Sequence, residues 1–97
     1  MENLKVKANL QRGTEYVGGH LTIDDKGLYF HPHALNVQTE DLFVAADLLV
    51  SVDKGMTLGI VPNGVKVRTS TDEFFFVVSK RKNVLKTITD LIASVKK

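Results

Sequence analysis

The sequence predicts one α+β domain that is mostly β, with about seven short antiparallel strands followed by a single C-terminal helix. Through residues 4–79, apolar side chains tend to return at every second position, which is the period of half-buried strands. After residue 80 the apolar period lengthens to that of an amphipathic helix. This order favours an antiparallel sheet, because parallel strands would need crossover connections between them.

Three strands are predicted in the first third of the chain, over residues 4–11, 16–23 and 28–33. The segment between the second and third strands, residues 24–27, has turn chemistry, because aspartate tolerates tight turns and Gly27 can take a positive φ. The residues expected to face the core are Leu4, Val6, Ala8, Leu10, Val17, Gly19, Leu21, Ile23, Leu28 and Phe30.

The pairing implied by this turn places all three histidines on the outward face. With the turn closed across Ile23 and Leu28, His20 lies opposite His31, and His33 lies opposite Gly18. The glycine pair that begins at residue 18 indicates a bulge or a close approach of backbones.

The middle of the chain predicts further strands. Residues 41–55 are apolar with β-branched residues, so that part of the segment can be helical while its second half favours a strand that Gly55 closes. Residues 56–64 predict a strand that ends in a Pro-Asn-Gly turn, and residues 65–70 and 73–79 predict a hairpin.

Three consecutive phenylalanines in the last strand cannot share one face. Phe74 and Phe76 alternate with Phe75, so one side joins the core and the other needs cover. Two alternatives follow: a central strand, or an edge strand that uses its second apolar face for a partner or a second copy of the chain.

The final segment predicts the amphipathic helix, which must bury its apolar stripe against the sheet. Ser79 is the expected N-cap, and the terminal lysines suit a helix C-terminus. The stripe consists of Val84, Leu85, Ile88, Leu91, Ile92 and Val95.

Composition fits a single domain over residues 1–97. The sequence has no cysteine, which excludes disulfides and thiolate metal sites and fits a cytoplasmic location. Residues 80–97 carry six basic residues and one acid, a net +5, whereas the rest of the chain is −3. A basic tail of this kind suits anionic lipid or phosphate, or is simply a solvated helix face. Nucleic acid is not expected, because exposed aromatics do not interleave with the basic residues.

Three stretches resemble the GRAM domain family. They are GGHLTIDDKGLYFHPHALNVQ, then LGIVPNGVKV, then FFFVVSKRKNVLKTI, and they cover nearly all of the chain from about Asn9 in the family's order. The resemblance implies a pleckstrin-homology-like fold in a small bacterial-type member: a seven-stranded, two-sheet antiparallel partial barrel or sandwich capped by a C-terminal helix. The sequence departs from the family pattern at Val44 and Ala45, where an Ile-Pro pair is common, and at Val84, where an aromatic is common.

The resemblance also implies a non-catalytic binding module for membrane lipid or protein. We therefore predict a cytoplasmic module that associates peripherally with anionic membrane lipid. The alternative is a protein–protein interaction or homo-oligomerisation domain, such as a homodimer, without lipid binding. The predicted lipid or anion contacts are Lys5, Lys7, Arg12, Lys80, Arg81 and Lys82.

The histidine-rich stretch is predicted to be structural. His33, with Asn36 and Gln38, is expected to hydrogen-bond the loop after the third strand, since the family pattern regularly has a histidine at position 33. A metal site formed by His20, His31 and His33 is the weaker alternative.

No cofactor is expected, and no catalytic residue is predicted. The carboxylate pairs fall at turns or strand ends, and no nucleophile motif is present in the sequence. The chain is therefore not expected to be an enzyme.

Overall fold

The computed structural model describes residues 3–33, 40–57 and 61–96. Within them the chain forms seven strands, one short 3-10 turn and one α-helix. In chain order these are β1 Leu4–Arg12, β2 Glu15–Asp24, β3 Gly27–Pro32, β4 Leu42–Ala45, the 3-10 turn Ala46–Leu48, β5 Leu49–Thr57, β6 Val61–Thr69, β7 Glu73–Val78 and α1 Arg81–Val95.

The strands form one antiparallel sheet with the order β4-β3-β2-β1-β7-β6-β5. Two halves meet where β1 pairs with β7, over only three residue pairs centred on Asn9 and Val77. The expected two sheets are therefore joined into one continuous sheet by this short ladder.

The sheet curls into a half-barrel around a single core. In a flat sheet β3 and β7 would lie about 14 Å apart, three strand spacings. The rings of Phe30 on β3 and Phe76 on β7 nevertheless have centroids 5.9 Å apart. Both side chains are fully buried, so the inner faces of the two halves pack against each other.

The predicted pairing of β2 with β3 is confirmed, including His20 opposite His31. The turn that sets this register is held by Asp24, whose Oδ1 accepts the backbone N–H of Lys26 at 2.8 Å and of Gly27 at 3.3 Å. Gly27 has φ +149°, and a side chain there would overlap the carbonyl group of Val44 on β4. The turn thus needs glycine both for its backbone and for the strand beside it.

Two predicted chain reversals in the second half are wrong. Asp53, Lys54 and Gly55 lie inside β5, and the Pro-Asn-Gly segment at 62–64 lies inside β6. Gly55 pairs with Gly64 across the two strands. The glycines allow close packing of an aromatic ring in this sheet and do not reverse the chain.

Phe75 provides the physical reason for those glycines. It points to the outer face, opposite its buried neighbour Phe76, and a Cβ at Gly55 would lie 2.6 Å from the Phe75 ring. The ring therefore covers the two glycines and is itself half-buried. Because β7 lies between β1 and β6, the central-strand alternative is the correct one.

Helix α1 lies along the edge strand β5, as its apolar stripe requires. Val84, Ile88 and Leu91 are buried, and burying a side chain of this size contributes about 1.5–3 kcal/mol. At the start of the helix Arg81 Nη1 donates to the Gly55 carbonyl at 2.9 Å, and at its end Lys96 Nζ donates to the Val50 carbonyl at 3.3 Å. Both acceptors belong to β5.

The predicted N-cap is wrong. Lys80 occupies that position in the left-handed conformation, with φ 54° and ψ 48° and no side-chain cap. Ser79 is instead attached to β1: its N–H donates to the carbonyl of Lys7 at 3.2 Å, and its Oγ lies 3.4 Å from the same oxygen. The β1–β7 ladder thus extends one residue beyond β7 and holds the serine.

No helix in the described ranges combines the length and the apolar character needed to cross a membrane.

Candidate anion-binding surface

The outward face of β1 carries two exposed lysines next to the histidines of β2 and β3. Strand alternation turns Lys5 and Lys7 away from the buried Val6 and Ala8. Lys7 pairs with His20 on β2, and Lys5 pairs with Thr22. Two ammonium groups therefore lie on one face of the sheet, two residues apart along the strand.

The connection between β7 and α1 brings Lys80 next to β1 as well. Because Ser79 is hydrogen-bonded to the backbone of Lys7, Lys80 follows directly beside β1. Lys80 is exposed, and a non-glycine residue in its left-handed conformation carries strain of about 1–2 kcal/mol. Lys82 is exposed in the first turn of α1. We call Lys5, Lys7, Lys80 and Lys82 the lysine surface.

Two of the predicted contact residues are also bonded to the backbone. The Arg81 guanidinium is half-buried and bonded to the Gly55 carbonyl. Arg12 lies five residues beyond Lys7 on β1, about 16 Å away, where Nη2 donates to the Glu40 carbonyl at 2.8 Å. Lys5 and Lys7 on β1 thus lie near the backbone of Lys80, whereas Arg12 lies at the opposite end of the strand.

Carboxylates do not neutralise the lysine surface within residues 3–33, 40–57 and 61–96. The ion pairs found there join Lys66 and Arg68 to Glu73, Lys86 to Asp90, and His31 to Asp41. None of them involves a member of the lysine surface. The four ammonium groups are thus accessible to an anionic ligand.

The three histidines do not converge on one point. His31 Nδ1 lies 2.7 Å from Asp41 Oδ1, next to β4. His20 and His33 form an edge-to-face pair with ring centroids 5.2 Å apart. Among the described residues no group of three or more histidine, cysteine or acidic side chains is arranged to hold a metal ion.

The backbone of His33 continues the pairing with β2, while its predicted role in the loop stays a prediction. Its backbone N–H donates to the Gly18 carbonyl at 2.9 Å, as expected from the predicted pairing. Asn36 and Gln38 lie outside the described residues, so their hydrogen bonding to the loop stays a prediction.

Electrostatics at this face disfavour the charged form of His20. Partial burial of the ring lowers the pKa of His20 below its ordinary value of 6.5, and the positive charges of Lys5 and Lys7 and the neighbouring His33 and His31 lower it further. The neutral form of the His20 imidazole is therefore favoured at this face. An anion bound beside the lysines would raise this pKa again.

An open cavity of about 430 Å³ lies next to the lysine surface, above Gly18. Its lining includes Lys7, Asn9, His33, Val77 and Ser79, together with Ala8, Gly18, Gly19 and Val78. Sequence reasoning did not find Asn9, Val77 and Ser79, because only the pairing of β1 with β7 brings them together. The sequence feature that could have indicated the cavity is Gly18, a glycine at an outward position of a strand.

Known structures share this fold, while no family model and no curated protein sequence matches the chain. The C-terminal domain of an unknown protein from Leishmania infantum superposes with a TM-score of 0.80 and 15% identity, over 93% of this chain and 82% of that one. The N-terminal PH domain of the human ARAP2 protein superposes with a TM-score of 0.74 and 12% identity, over 95% of this chain and 80% of that one. The fold is pleckstrin-homology-like. The expectation drawn from the sequence resemblance is confirmed at the level of the fold.

Proposed function

We propose that this chain is a non-catalytic, GRAM-type pleckstrin-homology-like module that associates peripherally with anionic membrane lipid. The observation that carries the proposal is the lysine surface, where β1 and the junction of β7 with α1 carry exposed ammonium groups without an acidic partner in the described ranges. Arg12 and Arg81 each have one donor occupied by a backbone carbonyl and contribute less to such a contact.

The strength expected of this contact is modest and depends on salt. A lysine next to an anionic bilayer contributes about 1 kcal/mol, so four of them give reversible binding. Because charges are screened over about 8 Å at physiological ionic strength, binding should weaken steeply as salt is added.

Sedimentation with vesicles tests the proposal. The full chain should pellet with phosphatidylcholine vesicles that contain phosphatidylserine, and not with phosphatidylcholine alone. Lys5→Gln combined with Lys7→Gln should weaken binding about thirtyfold, from about 1 kcal/mol per lysine.

A matched control separates the lysine surface from net charge. Lys66→Gln with Arg68→Gln removes the same charge from the exposed end of β6, where both residues are paired with Glu73. Equal losses in the two double variants would mean that only net charge matters. No binding of the unmodified chain at low salt would reject the proposal.

Protein–protein interaction or homo-oligomerisation is the second candidate, and one observation favours it. Tyr29 on β3 and Phe43 on β4 stack with centroids 4.6 Å apart, yet they are 36% and 50% exposed. Among the described strands, β4 pairs only with β3, so the ring pair lies at a sheet edge. A dimer in sedimentation equilibrium that Phe43→Asp dissociates, together with no vesicle binding, would support this candidate over the first.

A further inference from the structure

We propose that the cavity above Gly18 binds a phosphomonoester group, carried either by a lipid headgroup or by a small soluble molecule. The lipid source rests on the proposed function, whereas the soluble source does not.

The donors around the cavity fit a phosphate group. Lys7 supplies a charge, Asn9 an amide and His33 an imidazole, whereas the Ser79 hydroxyl already donates to the Lys7 carbonyl at 3.4 Å. None of the residues that line the cavity is acidic. A phosphate has several strong acceptor oxygens, so convergence of a cation with neutral donors is the chemistry that recognises it.

The sheet positions these donors before any ligand arrives. Lys7 and Asn9 are on β1, which is held on one side by β2 and on the other by β7. Ser79 is bonded to the backbone of Lys7, and the backbone of His33 is bonded to Gly18. The ring of His33 is further fixed by its edge contact with His20. Residues from three segments thus line one open space.

Gly18 keeps that space open. A Cβ at this position would lie 3.1 Å from Asn9 Oδ1 and 3.5 Å from His33 Cδ2, so these two side chains border the volume that a side chain would fill. The backbone does not demand glycine, because Gly18 is not among the glycines with positive φ. Gly19 differs, since its Cβ would lie 2.8 Å from the backbone of Pro32. The close approach of β3 therefore explains why residue 19 is a glycine, and the cavity explains why residue 18 is a glycine.

The neighbouring His20 reports on occupancy of the cavity. The cations that face it are Lys5 and Lys7 on β1, and the other imidazoles that face it are His31 and His33, of which His31 is paired with Asp41. A phosphate dianion beside Lys7 would offset part of this positive potential. Occupancy should therefore raise the pKa of His20, in the opposite direction to the effect of the lysines.

The test begins with inorganic phosphate and glycerol 3-phosphate, titrated into the full chain and followed by NMR. The Gly18 amide and the ring resonances of His20 and His33 should shift saturably, with a rise in the pKa of His20. Gly18→Val should abolish the saturable shift by filling the cavity. Thr22→Val, an outward change on the same strand away from the cavity, should leave it intact.

A second variant guards against misfolding of Gly18→Val. Asn9→Ala removes an exposed donor without filling space, and should weaken phosphate binding about fivefold, the worth of one hydrogen bond. If Asn9→Ala and folded Gly18→Val bind phosphate as the unmodified chain does, the proposal is wrong. A shift that never saturates would overturn it as well.

Vesicles distinguish the two sources and separate this proposal from the proposed function. Phosphatidic acid has a phosphomonoester and phosphatidylserine does not. A preference for phosphatidic acid that disappears in Gly18→Val identifies the lipid source. Saturable phosphate binding without that preference identifies a soluble ligand.

If no vesicle binds while phosphate still does, the membrane function fails and the cavity site stands. If vesicles bind equally to unmodified and Gly18→Val chains and phosphate causes no saturable shift, the cavity site fails alone.

Discussion

The two ends of β1 both carry basic side chains, yet the fold uses them differently. At one end Lys5 and Lys7 lie beside Lys80, without an acidic partner in the described part of the chain. At the other end Arg12 donates to the Glu40 carbonyl and faces Glu15 across the turn. A guanidinium that is already bonded to a backbone carbonyl stabilises the structure. Ammonium groups without an acidic partner raise the local positive potential instead. The comparison explains why Arg12, next to the first hairpin, is the weaker candidate for an anion contact.

Truncating a buried side chain of α1 should have the largest effect on the end of β1 that carries Lys5 and Lys7. Ile88→Ala leaves a cavity under α1, the helix that carries Lys82, and should lower the free energy of unfolding by about 2–5 kcal/mol. Urea unfolding followed by circular dichroism measures this. Thr89→Ala, on the exposed side of the same turn, is the control and should change stability little. Equal effects of the two substitutions would contradict the packing described for α1.

Neutralising the two ends of β1 separately sharpens the comparison. Lys5→Gln with Lys7→Gln should reduce affinity for phosphatidylserine vesicles about thirtyfold. Arg12→Gln should reduce it less than about fivefold, because Arg12 is expected to contribute less than about 1 kcal/mol to binding. Vesicle sedimentation at fixed low salt measures both. A larger loss from Arg12→Gln would move the ligand site to the first hairpin and reject the lysine surface.

A smaller effect, on the free energy of unfolding, is expected when the guanidinium of Arg81 is removed. Arg81→Gln removes a charged, half-buried donor from the Gly55 carbonyl and should cost about 1.5 kcal/mol of unfolding free energy. Lys82→Gln, one residue further along, should cost little stability but should weaken vesicle binding. The reverse pattern, with Arg81 important for binding and Lys82 for stability, would contradict the division of roles between them.

The smallest expected effect is the titration of His20. Since Lys5 and Lys7 help to lower the pKa of His20, replacing both by glutamine should raise it towards 6.5, as followed by the imidazole resonances. The folded pKa lies below the unfolded one, so His20 supports the folded state above pH 6.5, and this support is lost as the pH falls through the folded pKa. His20→Gln should flatten that part of the stability profile. An unchanged His20 pKa in the double variant would show that the lysines do not act on this face.

Local patterns predicted the first half of the sheet because its determinants are local. Asp24 and Gly27 form the turn that sets β2 against β3, and the register of His20 with His31 follows by counting. The same reasoning failed at Gly55 and Gly64, because those glycines make room for Phe75, which lies on another strand. A glycine that reverses the chain and a glycine that accommodates a ring look alike in the sequence.

The site was predictable only as a set of basic residues. The approach of Lys80 to Lys7 depends on Ser79 extending the β1–β7 ladder across 72 positions of the chain, and no local pattern shows that contact. The same ladder brings Ser79 and Val77 to Asn9 beside Gly18 and so creates the cavity. Similarly, the hydroxyl of Ser79 looked like a helix cap because its interaction with β1 is long-range.

The central claim, that the lysine surface meets an anionic membrane, is tested most directly by locating the contact. The labelled chain would be mixed with bicelles with and without phosphatidylserine, and the loss of amide signal would be mapped by NMR. We expect phosphatidylserine-dependent broadening at Lys5, Lys7, Lys80 and Lys82, with the amides near Arg12 unaffected. Broadening centred on Tyr29 and Phe43, or none that depends on phosphatidylserine, would contradict the claim.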